Sequence, residues 1–156
     1  MKNIILTLFI FYSLIAIPKS VNAQSVRDFK TKNASNTLER SLMLDLLRNS
    51  VYDYLSFLNE EQGDILFVVE HFKVSTPYAW MQGTAQRKDG RPFNLEDQAT
   101  DCCYVGALFK KIKGNWTLME DGIFPTDVWF NCLGDTYTDI DPRILPADIR
   151  QLFYCD

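Results

Sequence analysis

The sequence predicts a single α+β domain: an N-terminal helix packed on a four-stranded antiparallel sheet, with a C-terminal segment stapled by disulfides. Three observations carry this. Apolar residues recur at helical spacing from Leu38 to Leu58, four later segments alternate β-branched and aromatic residues between turn signals, and four cysteines follow Asp101. With 47% hydrophobic and 13% aromatic residues over 156 positions, the chain has enough apolar matter for one packed core, which excludes a disordered tail. Its 16 basic against 20 acidic side chains lack the basic excess of a nucleic-acid binder.

The N-terminus reads as an export signal. Lys2 precedes a mainly apolar stretch from Ile4 to Ile17, then Pro18, Lys19 and the triplet Val21, Asn22, Ala23, whose small residues suit cleavage after Ala23. The stretch is short beside the roughly 20 residues of a bilayer-spanning helix, so no stable membrane insertion is expected. Residues 1–23 form the signal peptide in this reading, 24–35 a polar, flexible leader, and 36–156 the domain. Cleavage removes two lysines and leaves a net charge of −6 on an exported chain, periplasmic or extracellular.

Asn36 followed by Glu39 resembles a capping box that starts the helix. Leu38, Leu42, Leu46, Leu47, Val51, Tyr54, Leu55 and Leu58 then form one apolar stripe, with a break expected near Asn49 and Ser50. Strands are expected near 65–74, 78–87, 102–112 and 116–121, with turns at Lys88-Asp89-Gly90 and Lys113-Gly114-Asn115. Period two places Val68, Phe72 and Val74 on one face together with Glu70, so either a bulge re-aims Glu70 or its carboxylate sits on the concave face.

In an oxidising compartment Cys102, Cys103, Cys132 and Cys155 make two disulfides. Joining the adjacent pair demands strained geometry, which leaves 102–132 with 103–155, or 102–155 with 103–132; either would tie the C-terminal segment to the sheet. Adjacent cysteines lack the spacer of a C-x-x-C redox or metal motif.

The order Phe67-Val68-Val69, Ala79-Trp80-Met81, Gln86-Arg87-Lys88-Asp89-Gly90, Ala107-Leu108-Phe109-Lys110-Lys111, Gly114-Asn115-Trp116 and Pro125-Thr126-Asp127-Val128-Trp129 resembles a group of small secreted bacterial proteins of uncharacterised function. The resemblance covers roughly residues 38 to 130. It implies a helix, a strand meander, a terminal Pro-Thr-Asp-Val motif and bacterial export; the four cysteines depart from it. In outline the element order is also similar to cystatin-like and NTF2-like folds, an analogy that selects no function.

Catalytic signatures are sparse. His71 is the only histidine, and its neighbour Glu70 would leave a strand on the opposite face, so the two make no His-carboxylate pair. No G-x-S-x-G, H-E-x-x-H, phosphate-loop or dinucleotide pattern occurs. Glu70, Glu120 and Asp127 are the carboxylates available for paired acid-base chemistry. Asp135, Asp139 and Asp141 offer oxygen ligands but not the spacing of a calcium loop, and no metal or cofactor is expected. Tyr78, Trp80, Arg87, Trp116 and Trp129 are the candidate binding residues, with Tyr104 nearby; most of the aromatics also suit a core. The sequence therefore favours an exported, non-enzymatic binding protein acting through the sheet face and the 88–101 loop on an unknown protein or small ligand. A cell-wall or glycan hydrolase, or an inhibitor or immunity-type partner of a secreted enzyme, are the alternatives.

Overall fold

The computed structural model describes residues 25–95 and 102–155; the signal peptide expected at residues 1–23 and part of the expected 88–101 loop lie outside the described residues. Five strands, β1 (Arg27–Asp28), β2 (Ile65–Ser75), β3 (Tyr78–Arg87), β4 (Tyr104–Ile112) and β5 (Asn115–Ile123), form one antiparallel sheet in the order of the chain, with helix α1 (Thr37–Phe57) between the first two. Two short helices, α2 (Leu133–Thr136) and α3 (Arg150–Phe153), and a 3-10 turn at Pro142–Ile144 follow. Lys113 and Gly114, at φ 50° and 89°, join β4 to β5; two positive φ values match the strand twist and explain glycine at the second position.

The sheet has five strands rather than the expected four because the expected leader takes part in it. Arg27 and Asp28 pair with Val74 and Lys73, and Phe29, 2% exposed, packs edge-on against Phe72 at 5.6 Å. A single phenylalanine in a polar run gives no periodicity to read.

Helix α1 runs unbroken through Asn49 and Ser50, since the Ser50 hydroxyl bonds the Asp121 carboxylate on β5. Met43, Leu47, Val51 and Leu55, each four residues on from the last, meet the sheet and are buried. Leu38 and Leu42, assigned to the same stripe, remain 72% and 50% exposed beside it. The capping box does not form. Asn36 accepts from Asn33 N and donates to Thr31 O, both at 2.9 Å, while Glu39 bonds Arg27 at 2.8 Å and Lys111 at 2.7 Å.

A bulge between Val69 and His71 shifts the register of β2 against β3. It leaves Glu70 exposed and puts Val68 on the face opposite Phe72 and Val74, so those residues do not share one face as period two required.

Two cores result. One lies between α1 and the sheet; the other, built from Tyr78, Trp80 and Leu108 with Tyr137, Ile140, Ile144, Leu145, Ile149 and Phe153, lies under the C-terminal segment on the opposite face. Polar pins hold that segment down. The Tyr78 hydroxyl donates to Asp139 at 2.6 Å, Ser75 to Asp141 at 2.8 Å and Tyr137 to Glu120 at 2.7 Å.

The disulfides are Cys102–Cys103 and Cys132–Cys155, which corrects both cross-linked schemes. Cys102 and Cys103 lie in the turn before β4 rather than on a strand, and Cys103 packs against the helix-side core. Cys132 and Cys155 flank residues of the opposite core, with Cα atoms 4.9 Å apart. The sheet separates the pairs, and the second closes the C-terminal segment on itself instead of tying it to the sheet. Two disulfides point to an oxidising compartment. Among the described residues no helix is long and apolar enough to cross a membrane.

Candidate functional site

Strand β3 pairs with β2 as far as Arg87 but with β4 only as far as Thr84. Beyond that point the β4 side of β3 meets one turn, where Ala85 N donates to Cys103 O at 2.8 Å. Strand alternation turns the Arg87 N–H the same way, and no carbonyl among the described residues accepts it. The gap is a cavity of about 330 Å³ lined by residues 85–88, 90–93 and the Cys102–Cys103 pair.

Arg87 is the distinctive group there. It is 4% exposed, its Nη2 donates to Glu60 Oε1 at 2.6 Å, and its guanidinium lies 5.1 Å from the centroid of the Phe93 ring. Glu60 Oε1 also accepts from Asn94 N at 3.1 Å, which fixes the loop carrying Phe93. Nε and Nη1 of Arg87 are buried without an acceptor among the described residues. A native interior rarely leaves donors of a charged group unpaired, because each forfeits its hydration. Lys88 and Arg91 line the same cavity and face outward to Asp64, and to Glu61 and Asp89.

The other candidate residues disperse. Tyr78, Trp80 and Trp129 belong to the core beneath the C-terminal segment, where Trp80 and Trp129 stack with centroids 5.2 Å apart and planes 4° apart. Trp129 lies over Gly106 and Gly122, which leave room for its ring. Trp116 is on the opposite face, 8% exposed, with Lys111 5.4 Å from its centroid. It borders a groove of about 430 Å³ with Leu38, Leu42 and Leu46. Of the candidate set, Arg87, Cys102 and Cys103 line this one cavity. Tyr104, next to that pair, has its hydroxyl pushed up to about 12 by burial.

Glu70 on β2 and Glu120 on β5 stand three strand spacings apart, roughly 14 Å at about 4.8 Å each, beyond the reach of paired carboxylates. Glu120 is engaged by Tyr137, and Asp127 is exposed in the segment after β5. The three aspartates do not form one cage. Asp139 takes the Tyr78 hydroxyl, which holds its carboxyl below the usual range; Asp141 takes Arg143, which does the same more strongly, and Ser75; Asp135 stands by the Cys132–Cys155 pair.

Sequence reasoning missed Glu60, Phe93 and the unpaired edge of β3. An arginine closing an otherwise apolar-facing strand was the available signal, since its burial requires a carboxylate nearby.

No family model matches the chain, and no curated protein or solved structure matches it. The resemblance of residues 38 to 130 to small secreted bacterial proteins rests on the quoted residues alone.

Proposed function

We propose that this is an exported, non-enzymatic binding protein and that the cavity beside Cys102–Cys103 is its ligand site. The observation that carries the reading is Arg87, a buried cation that lines a cavity and whose Nε and Nη1 find no acceptor among the described residues. Signal-like residues 1–23 and two disulfides support export, to the periplasm or beyond. The cystatin-like or NTF2-like analogy is compatible with a helix laid on an antiparallel meander and with binding modules, and it selects no ligand.

A second reading has an observation of its own. Leu38 and Leu42 stand exposed on α1 beside the groove at Trp116, the kind of apolar surface an inhibitor or immunity-type partner presents to another protein. One experiment separates them. Amide chemical-shift mapping with a set of small fragments should move Arg87, Lys88, Phe93 and Cys103. Shifts confined to Leu38, Leu42 and Trp116 would transfer the site to the groove, and no fragment binding at the cavity would overturn the first reading.

A further inference from the structure

We infer that one end of the molecule docks on an anionic phospholipid bilayer, resting at its surface with no helix inserted; the inference is independent of the cavity beside Cys102–Cys103. At that end the β2–β3 turn, the β4–β5 hairpin and the start of α1 meet. Lys111 N donates to Pro77 O at 2.7 Å, and the Glu39 carboxylate of α1 takes Arg27 of β1 at 2.8 Å and Lys111 of β4 at 2.7 Å. Its charge runs against that of the whole chain. Residues 27–40 hold four cations against two acids and residues 110–115 three cations against none, whereas the remaining residues hold nine cations and eighteen acids. Most of these seven cations meet no acid. Among the described residues Lys30, Lys32 and Lys113 form no ion pair, Arg40 donates to the Phe29 and Lys30 carbonyls, and Lys110 donates to the Tyr78 hydroxyl, behind which Asp139 lies. Arg27 and Lys111 share the single carboxylate of Glu39, Asp28 takes the Lys30 amide, and Asp45 nearby holds Arg48.

Exposed apolar side chains stand among these cations. Leu38 in the first turn of α1 is 72% exposed, Leu42 one turn on 50%, and Ile112, next to Lys113 at the hairpin tip, 42%. Leu38 and Leu42 line one groove with Glu39, Lys111 and residues 114–116, so helix and hairpin form one continuous surface. A bilayer with anionic head groups answers both features. Its surface potential attracts each Lys or Arg held within about 10 Å, and projecting apolar side chains enter the boundary between head groups and acyl chains. A polysaccharide or nucleic acid would use the cations and leave the leucines in water. The acidic excess over the rest of the chain turns this end toward the lipid and keeps the others away from it.

The test sediments the exported, oxidised protein with vesicles of equal parts phosphatidylglycerol and phosphatidylcholine, and with vesicles of phosphatidylcholine alone. At low salt the anionic vesicles are expected to bind at least about tenfold more tightly than the neutral ones, and about 0.5 M salt should remove the difference. Lys113→Gln should weaken anionic binding about fivefold, and Lys30→Gln with Lys32→Gln about 25-fold, because these side chains hold no acid whose loss would disturb the fold. Leu38→Ser with Ile112→Thr, both at exposed positions, should weaken it at least about threefold. Equal binding to the two kinds of vesicle, binding to neither, or an affinity unmoved by the lysine changes would overturn the inference. Heparin bound as tightly as the anionic vesicles, with no loss in the Leu38→Ser, Ile112→Thr variant, would assign this end to a soluble polyanion and overturn it as well.

Discussion

Two glycines fix where Trp129 lies. A Cβ built on Gly122 would come within 2.2 Å of Trp129 Cδ1, and one on Gly106 within 2.6 Å of Cζ2, so the indole rests directly on the backbones of β4 and β5. Gly122→Ala must push the ring off its stack with Trp80. Overpacking of this kind costs about 1–3 kcal/mol, to be read from urea denaturation, with a change in tryptophan fluorescence. Unchanged stability and emission would show that the ring does not sit there. His71 gives a pH signature. Burial lowers its imidazole below the usual range, and its Nε2 meets the Ile144 carbonyl at 2.7 Å. The unfolded chain takes up the proton at about pH 6.5 while the folded chain resists, so this contribution is complete above that value and is lost as pH falls through the folded pKa. The depressed carboxyls of Asp139 and Asp141 act in the same direction, but only below about pH 4. The melting temperature should therefore fall between about pH 7.5 and about pH 5.5, and His71→Gln should flatten that limb. An equal slope in the variant would assign the loss elsewhere.

Helix α1 was legible as a helix, but of the eight residues of its stripe three are buried, three pack partly buried against the core, and Leu38 and Leu42 stay exposed. Spacing of three and four marks every residue within about a third of the circumference, whereas the sheet covers the narrower line through Met43, Leu47, Val51 and Leu55. Leu47→Ala should thus cost about 2–5 kcal/mol, and Leu38→Ala less than about 0.5 kcal/mol, in the same denaturation assay. Comparable losses at both sites would mean that the helix is rotated. Strands β2 to β5 were legible because β-branched and aromatic runs ended at clear turns. β1 was not, since two exposed residues beside one buried phenylalanine carry no pattern. At Glu70 a charged residue in an apolar alternation left two alternatives, a bulge or a carboxylate on the concave face, and the register shift between Val69 and His71 is the first of them.

Across the whole molecule, the C-terminal segment behaves as a third layer and not as a tail. Apolar residues at 137, 140, 144, 145, 149 and 153 follow no single period, so their common face emerges only when the chain turns around Trp80 and Leu108. The cavity was illegible for a related reason: it exists because β4 stops short of β3, and the length of one strand relative to its neighbour is set by the loop between them. The cysteine pairs contribute unequally. Cys132–Cys155 spans 23 residues and Cys102–Cys103 spans one, so chain entropy assigns them about 3.5 and about 1 kcal/mol. Replacing Cys132 and Cys155 with serine should lower stability markedly more than replacing Cys102 and Cys103.

Which cysteines are joined decides whether the cavity has its wall, and mass spectrometry of a non-reduced tryptic digest measures it directly. Cleavage at lysines and arginines leaves Cys102 and Cys103 together in the peptide 89–110, Cys132 in 114–143 and Cys155 in 151–156. The expected result is peptide 89–110 unlinked and lighter by two thiol hydrogens, with 114–143 joined to 151–156. Peptide 89–110 covalently joined to either of the others would contradict the two-faced arrangement and remove the wall from the proposed site.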